Sequence, residues 1–127
     1  MKLKTLLITT SLSFSLSLGA TQALAHAEHG QPQHGGIHAE AGEAQFEIVA
    51  REGKLTVYVT SHGAPLDTAG ASGKLTVLAG TAKSEIDLKP AGSNLLQGVG
   101  SVPAGAKLLV NVQLAGKKAL QARAAMK

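Results

Sequence analysis

The sequence predicts an all-β protein: a small antiparallel β-sandwich, immunoglobulin-like, of seven to eight strands. Three observations point there. From residue 37 onward apolar and polar residues alternate with a period of two, which places every second side chain on the same face of a strand. Turn signals built from Gly and Pro recur roughly every ten residues, the spacing expected of short strands in a sandwich or barrel. No segment sustains a 3.6-residue apolar period over a helical length. The chain has neither Cys nor Trp, so the Cys…Trp…Cys framework of a true immunoglobulin domain is absent.

Residues 1–25 have the three-part plan of a secretory signal peptide. Lys2 and Lys4 form a basic start, LLITTSLSFSLSL over 6–18 is the apolar run, and Ala23-Leu24-Ala25 is a small-x-small cleavage site. The run is too short and too rich in Ser and Thr for a good membrane span. Cleavage after Ala25 is expected, leaving a periplasmic protein that is not membrane-embedded. A cut after Ala27 also satisfies the small-x-small rule. Residues 26–36 read as a His-rich flexible leader, because Gly30, Pro32, Gly35 and Gly36 oppose regular structure. Residues 37–127 form the sandwich domain.

Within that domain each strand is read from its own alternation. Over 37–41, His38 and Glu40 share one face and Ile37, Ala39 and Ala41 the other. After a turn at Gly42-Glu43, Phe46, Ile48 and Ala50 point one way and Gln45 and Glu47 the other, and the carboxylates of the chain are expected in solvated positions. Glu52-Gly53 leads into 54–60, the clearest strand, with Leu55, Val57 and Val59 inside. Residues 61–73 form a long polar loop. Leu75 and Val77 are the inward residues of 74–79, and Ile86 and Leu88 those of 83–89. In the weaker strand over 94–100, Leu95 and Leu96 are adjacent and the pattern does not say which is buried. Leu108, Val110, Val112 and Leu114 line the inside of 107–114. The last segment, 118–126, is rich in Ala and open to a helix, but its alternation and the turn before it favour a strand.

Composition narrows the function. The precursor carries a net charge of +4, and removal of Lys2 and Lys4 leaves about +2. The cations are scattered and there is one Tyr, so no basic stripe with stacking aromatics is present and nucleic-acid binding is not expected. No nucleophile–base–orienter set can be assembled, and the adjacent Ser61 and His62 of a strand end point to opposite faces. The protein is therefore expected not to be an enzyme.

The chemistry that does stand out is imidazole. The stretch HAEHGQPQHGGIH holds His26, His29, His34 and His38, four of the five histidines, and His62 follows the strongest strand. Neutral imidazole is the commonest protein metal ligand, and short His-rich tracts are a compositional metal signal. With no Cys, and Met126 the only Met left after cleavage, soft ligands are lacking. Imidazole and carboxylate then favour Cu(II), Zn or Ni over Cu(I). Two arrangements are open. Cleavage after Ala25 gives His26 a free amine, which with its imidazole chelates Cu(II), His29 adding a third nitrogen. Alternatively His34, His38 and His62 converge at the edge of the folded domain, leaving a fourth position for water. A plain loop role for His62, ahead of Pro65, is the simpler reading of that residue.

The HGG of His34-Gly35-Gly36, the Glu40-x-Gly42 that follows and the strand Phe46-Glu47-Ile48-Val49 resemble small periplasmic proteins associated with heavy-metal efflux. They are also similar to the N-terminal β domain of some heavy-metal membrane-fusion (efflux adaptor) proteins. The resemblance covers about residues 34–62 and continues beyond only as a strand-and-glycine pattern. It implies a periplasmic β-sandwich that handles divalent metal, with an efflux adaptor as partner, and carries over one residue, His34. The mature start His26-Ala27 is similar to that of the copper-resistance C (CopC) proteins. Together these readings make the expected function the binding of Cu(II), Zn or Ni for buffering or delivery in heavy-metal resistance or efflux. The competing expectation is an exported interaction module, with Tyr58, Leu78 and Leu109 as contact residues and the histidines incidental.

Overall fold

The computed structural model describes residues 32–127. The signal peptide expected over residues 1–25 and the candidate ligands His26 and His29 lie outside the described residues. The described residues are all-β, with nine strands among them: β1 (Ile37–Ala41), β2 (Ala44–Arg51), β3 (Lys54–Ser61), β4 (Ala64–Pro65), β5 (Ser72–Ala79), β6 (Ala82–Pro90), β7 (Leu95–Val99), β8 (Lys107–Gln113) and β9 (Leu120–Ala125). Every pairing is antiparallel. The strand expected from the C-terminal alternation is β9, and no helix forms there.

Neighbouring strands run in the order β1-β2-β3-β7-β6-β5-β8-β9, with β4 paired to β3 at Thr60 and Ser61, past the stretch that pairs with β7. One layer, β1, β2, β3 and β7, turns Phe46, Ile48, Leu55, Val57, Val59 and Leu96 inward. The other, β5, β6, β8 and β9, answers with Leu75, Val77, Ile86, Leu88, Leu108, Val110, Val112 and Ala122, and all belong to one core. Leu96 is the buried member of its leucine pair, fully enclosed, while Leu95 is half-buried. β1 packs against β9, so the sandwich approaches a closed barrel.

The layers are joined by β6, which pairs with β5 along most of its length and with β7 only at Lys89–Gln97 and Pro90–Leu96. Beyond that point β7 passes so near β6 that a Cβ at Gly98 would lie 2.5 Å from the Asp87 carbonyl oxygen and 2.7 Å from Ile86 Cγ2. Glycine is what permits the crossing.

Two features differ from the sequence reading. The ninth strand, beyond the seven or eight expected, is the two-residue β4, too short to give an alternation. It lies within the loop read as polar, and that loop also encloses Thr68, which is fully buried. The Thr68 hydroxyl sits 2.7 Å from the carbonyl oxygen of Leu95 and 3.2 Å from that of Ser93, so its polar group is satisfied and the loop is held against β7.

Val57 is fully buried and its neighbour Thr56 half-buried on the outer face. An unpaired buried carboxylate costs a large share of the roughly 5–15 kcal/mol that stabilises a domain. Val57→Asp is therefore expected to abolish cooperative thermal unfolding followed by circular dichroism, whereas Thr56→Asp retains it. Equal effects would show that the faces of β3 are reversed.

Candidate functional site

The register of the first layer sets one row of outward side chains side by side. His38 of β1 opposes Glu47 of β2, Glu47 opposes Tyr58 of β3, and Tyr58 opposes Leu95 of β7. Such directly opposed residues have neighbouring side chains on one face of the sheet. The next row is Glu40, Gln45, Thr60 and Pro65. Alternation puts these rows on the face away from the core, as the sequence reading expects for Tyr58 and Thr60. Glu47 nevertheless is only 8 % exposed. The expectation of a solvated carboxylate is corrected here, and the cause is the chain just before β1.

Residues 33–36 run across the outer face as a strap and close over Glu47. Its carboxylate accepts hydrogen bonds from the backbone N–H of Gln33 (2.8 Å), His34 (2.7 Å) and Gly36 (2.9 Å), and pairs with His34 Nδ1 at 2.9 Å. Arg51 adds a bond from Nη2 to the His34 carbonyl oxygen at 3.2 Å. The strap lies so close to β2 that a Cβ at position 36 would fall 2.5 Å from the Ile48 carbonyl oxygen and 2.8 Å from Val49 Cγ2. Only glycine fits there. The HGG sequence thus has a local structural reason: its backbone donors must reach a carboxylate under them.

Burial pushes the Glu47 carboxyl up, but the bonds from the His34 ring and from the backbone of Gly36, Gln33 and His34 outweigh it, so the group titrates below its usual value. An ionised Glu47 has no proton to give, so Nδ1 of His34 is the donor. In the neutral ring the lone pair is then on Nε2. The same ring lies flat on Tyr58, with centroids 3.8 Å apart and planes 2° from parallel.

His38 has a carboxylate partner as well. Its Nε2 is 2.9 Å from Glu40 Oε1, which leaves Nδ1 with the lone pair when Nε2 donates. Glu40 is on the surface, with a side chain 57 % exposed, so this pair is worth little energetically. His34 and His38 both line a cavity of about 280 Å³ together with Gln45, Tyr58, Thr60 and Asn94.

His62 lies elsewhere. It occupies the β3–β4 turn with φ of 51°, and its Nε2 is 3.7 Å from Glu43 on the neighbouring turn, both side chains being strongly exposed. Among the described residues no group of three or more His, Cys, Asp or Glu side chains is gathered as a metal cage. The structure therefore brings His34 and His38 to one cavity and leaves His62 outside its lining. A larger groove, about 700 Å³, opens where β6 and β7 part. It is lined by Glu52, Lys54, Glu85, Asp87 and Lys89 among others and by no imidazole.

Sequence reasoning missed Glu47 and Tyr58 as parts of this site. The signal for Glu47 was its place as the one charge inside the run Phe46 to Val49, downstream of the only HGG. The chain matches no family model, no curated protein and no solved structure.

The lowered pKa of Glu47 has a consequence for stability. A group whose folded pKa is depressed stabilises the fold above its unfolded value, and that stabilisation is lost as pH falls through the folded one. Wild type is therefore expected to melt higher than Glu47→Gln at neutral pH, and the difference to disappear as pH falls below the ordinary carboxyl value of 4.5. Melting curves of the two proteins across pH check this; a constant difference down to strong acid would contradict it.

Proposed function

We propose that this protein is an exported, periplasmic divalent-metal-binding protein that buffers or delivers Cu(II), Zn or Ni, with His34 and His38 as its ligands on the folded domain. The observation that carries the reading is the imidazole pair lining one cavity. Each ring has one nitrogen engaged by a carboxylate and the other available for a bond. A ligating histidine commonly holds its second nitrogen in this way, which fixes its tautomer and raises its basicity.

The donor chemistry suits the ions named. Nitrogen and oxygen donors without thiolate match Cu(II), Zn and Ni. Two imidazoles leave coordination positions open for water or for further ligands. The preceding His26 and His29, on the same chain within a few residues of the strap, are the natural candidates. In this reading an ion held by few ligands is transferable, and a heavy-metal efflux adaptor is the receiver. His62, exposed and paired at 3.7 Å with an equally exposed Glu43, is not assigned a role in the site.

The test is a calorimetric titration with Cu(II), Zn and Ni, read for Cu(II) also by fluorescence. Tyr58 is the sole Tyr and there is no Trp, so a paramagnetic ion bound at His34 quenches the dominant emitter. His34→Ala and His38→Ala are each expected to weaken binding at least about tenfold, whereas His62→Ala leaves it unchanged. Binding should also weaken as the solution is made acidic, because an imidazole must be neutral to ligate a metal. Identical heats for wild type and a variant lacking all five histidines would end the metal reading and leave the interaction module.

A further inference from the structure

Three histidines of the described residues have a carboxylate neighbour, and the three pairs are built very differently. His62 and Glu43 are 3.7 Å apart with side chains 70 % and 84 % exposed. His38 and Glu40 make one bond at the surface. The Glu47 carboxylate is buried, takes three backbone N–H groups besides the His34 ring, and lies under a strap that requires glycine at position 36. Side-chain entropy alone would scatter an exposed imidazole over its rotamers. At His34 that freedom is removed twice, by the bond at Nδ1 and by the flat contact with Tyr58.

We propose that Glu47 is the positioning residue of the imidazole pair: by tying residues 33–36 to the outer face of β2 it lays the His34 ring on Tyr58, assigns the ring proton to Nδ1 and presents Nε2 as the ligand. This rests on the metal reading above. Glu47 holds no ion in this scheme; both of its oxygens are used by the strap. Its action is through His34, in two ways at once. The backbone bonds set where the ring can be, and the side-chain bond sets which nitrogen is free. His38, directly opposite Glu47 on β1, then has a fixed neighbour rather than a mobile one. Gly36 is the second half of the device, since the three backbone donors reach the carboxylate only if the strap lies against the Ile48 carbonyl.

Two variants break the strap from opposite sides. Glu47→Gln keeps the shape of the side chain but sets an amide N–H₂ against backbone donors. Gly36→Ala leaves the carboxylate and the core untouched and pushes the strap off by the clash with Ile48 and Val49. The metal-free readout is nuclear magnetic resonance of the His34 ring. In wild type its carbon-bound protons are expected upfield, shielded by the Tyr58 ring, and its nitrogen shifts are expected to report a proton on Nδ1. Both variants are expected to lose both signatures while circular dichroism remains that of the folded β protein. The Zn dissociation constant, measured on the same samples, is expected to rise about 10- to 100-fold, the usual effect of removing a residue that orients a ligand. If Glu47→Gln does not fold, Gly36→Ala carries the test alone. Retention of the His34 signatures in the folded variants, or their loss with unchanged Zn affinity, would overturn the proposal. If instead His34→Ala binds Zn as wild type does, the metal reading fails, and the ring signatures still decide whether Glu47 positions the strap.

Discussion

A carboxylate removed from water must be given hydrogen-bond donors, and Glu47 is so removed on a face of the sheet that alternation alone would leave wet. Losing hydration costs an ionised group several kcal/mol, while hydrogen bonds to a charged acceptor return about 1.5–3 kcal/mol each. Three backbone N–H groups and one imidazole therefore decide the matter in favour of the charged, covered state. The rest of the site follows from that. The strap must lie flat, so position 36 is glycine. The ring of His34 must come down beside the carboxylate, and Tyr58, the next residue in the same cross-strand row, is where it rests.

The sandwich beneath supplies the rigidity. β1, β2 and β3 form a meander whose register is set by two-residue turns and by the inward residues Ala39, Phe46, Ile48, Val57 and Val59. A slip of one residue would turn that apolar set toward water. The register that protects the core therefore also fixes His38, Glu47 and Tyr58 as neighbours on the opposite face. By contrast, the ion pairs at His38–Glu40 and His62–Glu43 are exposed and add little to the fold. At His38 the bond from Glu40 to Nε2 bears on which ring nitrogen is free rather than on stability.

Much of the fold was legible in the sequence because period-two alternation is a direct image of a half-buried strand. Leu55, Val57 and Val59, or Leu108, Val110 and Val112, need no tertiary knowledge to be placed. The two-residue β4 was not legible, since pairing that short has no period. The choice between Leu95 and Leu96 depended on the register in which β7 pairs with β3, Leu96 opposite the buried Val57, a long-range fact. The site was half legible. His34 and His38, and the strand face that His38 shares with Glu40, were read from composition and alternation. The burial of Glu47 was not, because it comes from a segment outside the sheet folding back across it, and no local pattern encodes that return. His62 was drawn into the candidate site by residue type, and the turn geometry sets it beside Glu43 instead.

The central claim is that residues 33–36 are bound to the sheet through Glu47 rather than trailing from it. Amide hydrogen exchange at His34 and Gly36 tests it most directly. Both amides are exposed to solvent exchange if the strap is loose, and both are donated to one carboxylate if it is not. The account predicts exchange slowed at least about tenfold relative to an unstructured peptide of the same sequence, with the protection removed by Glu47→Gln. Exchange of both amides at the unstructured rate in the wild-type protein would contradict it.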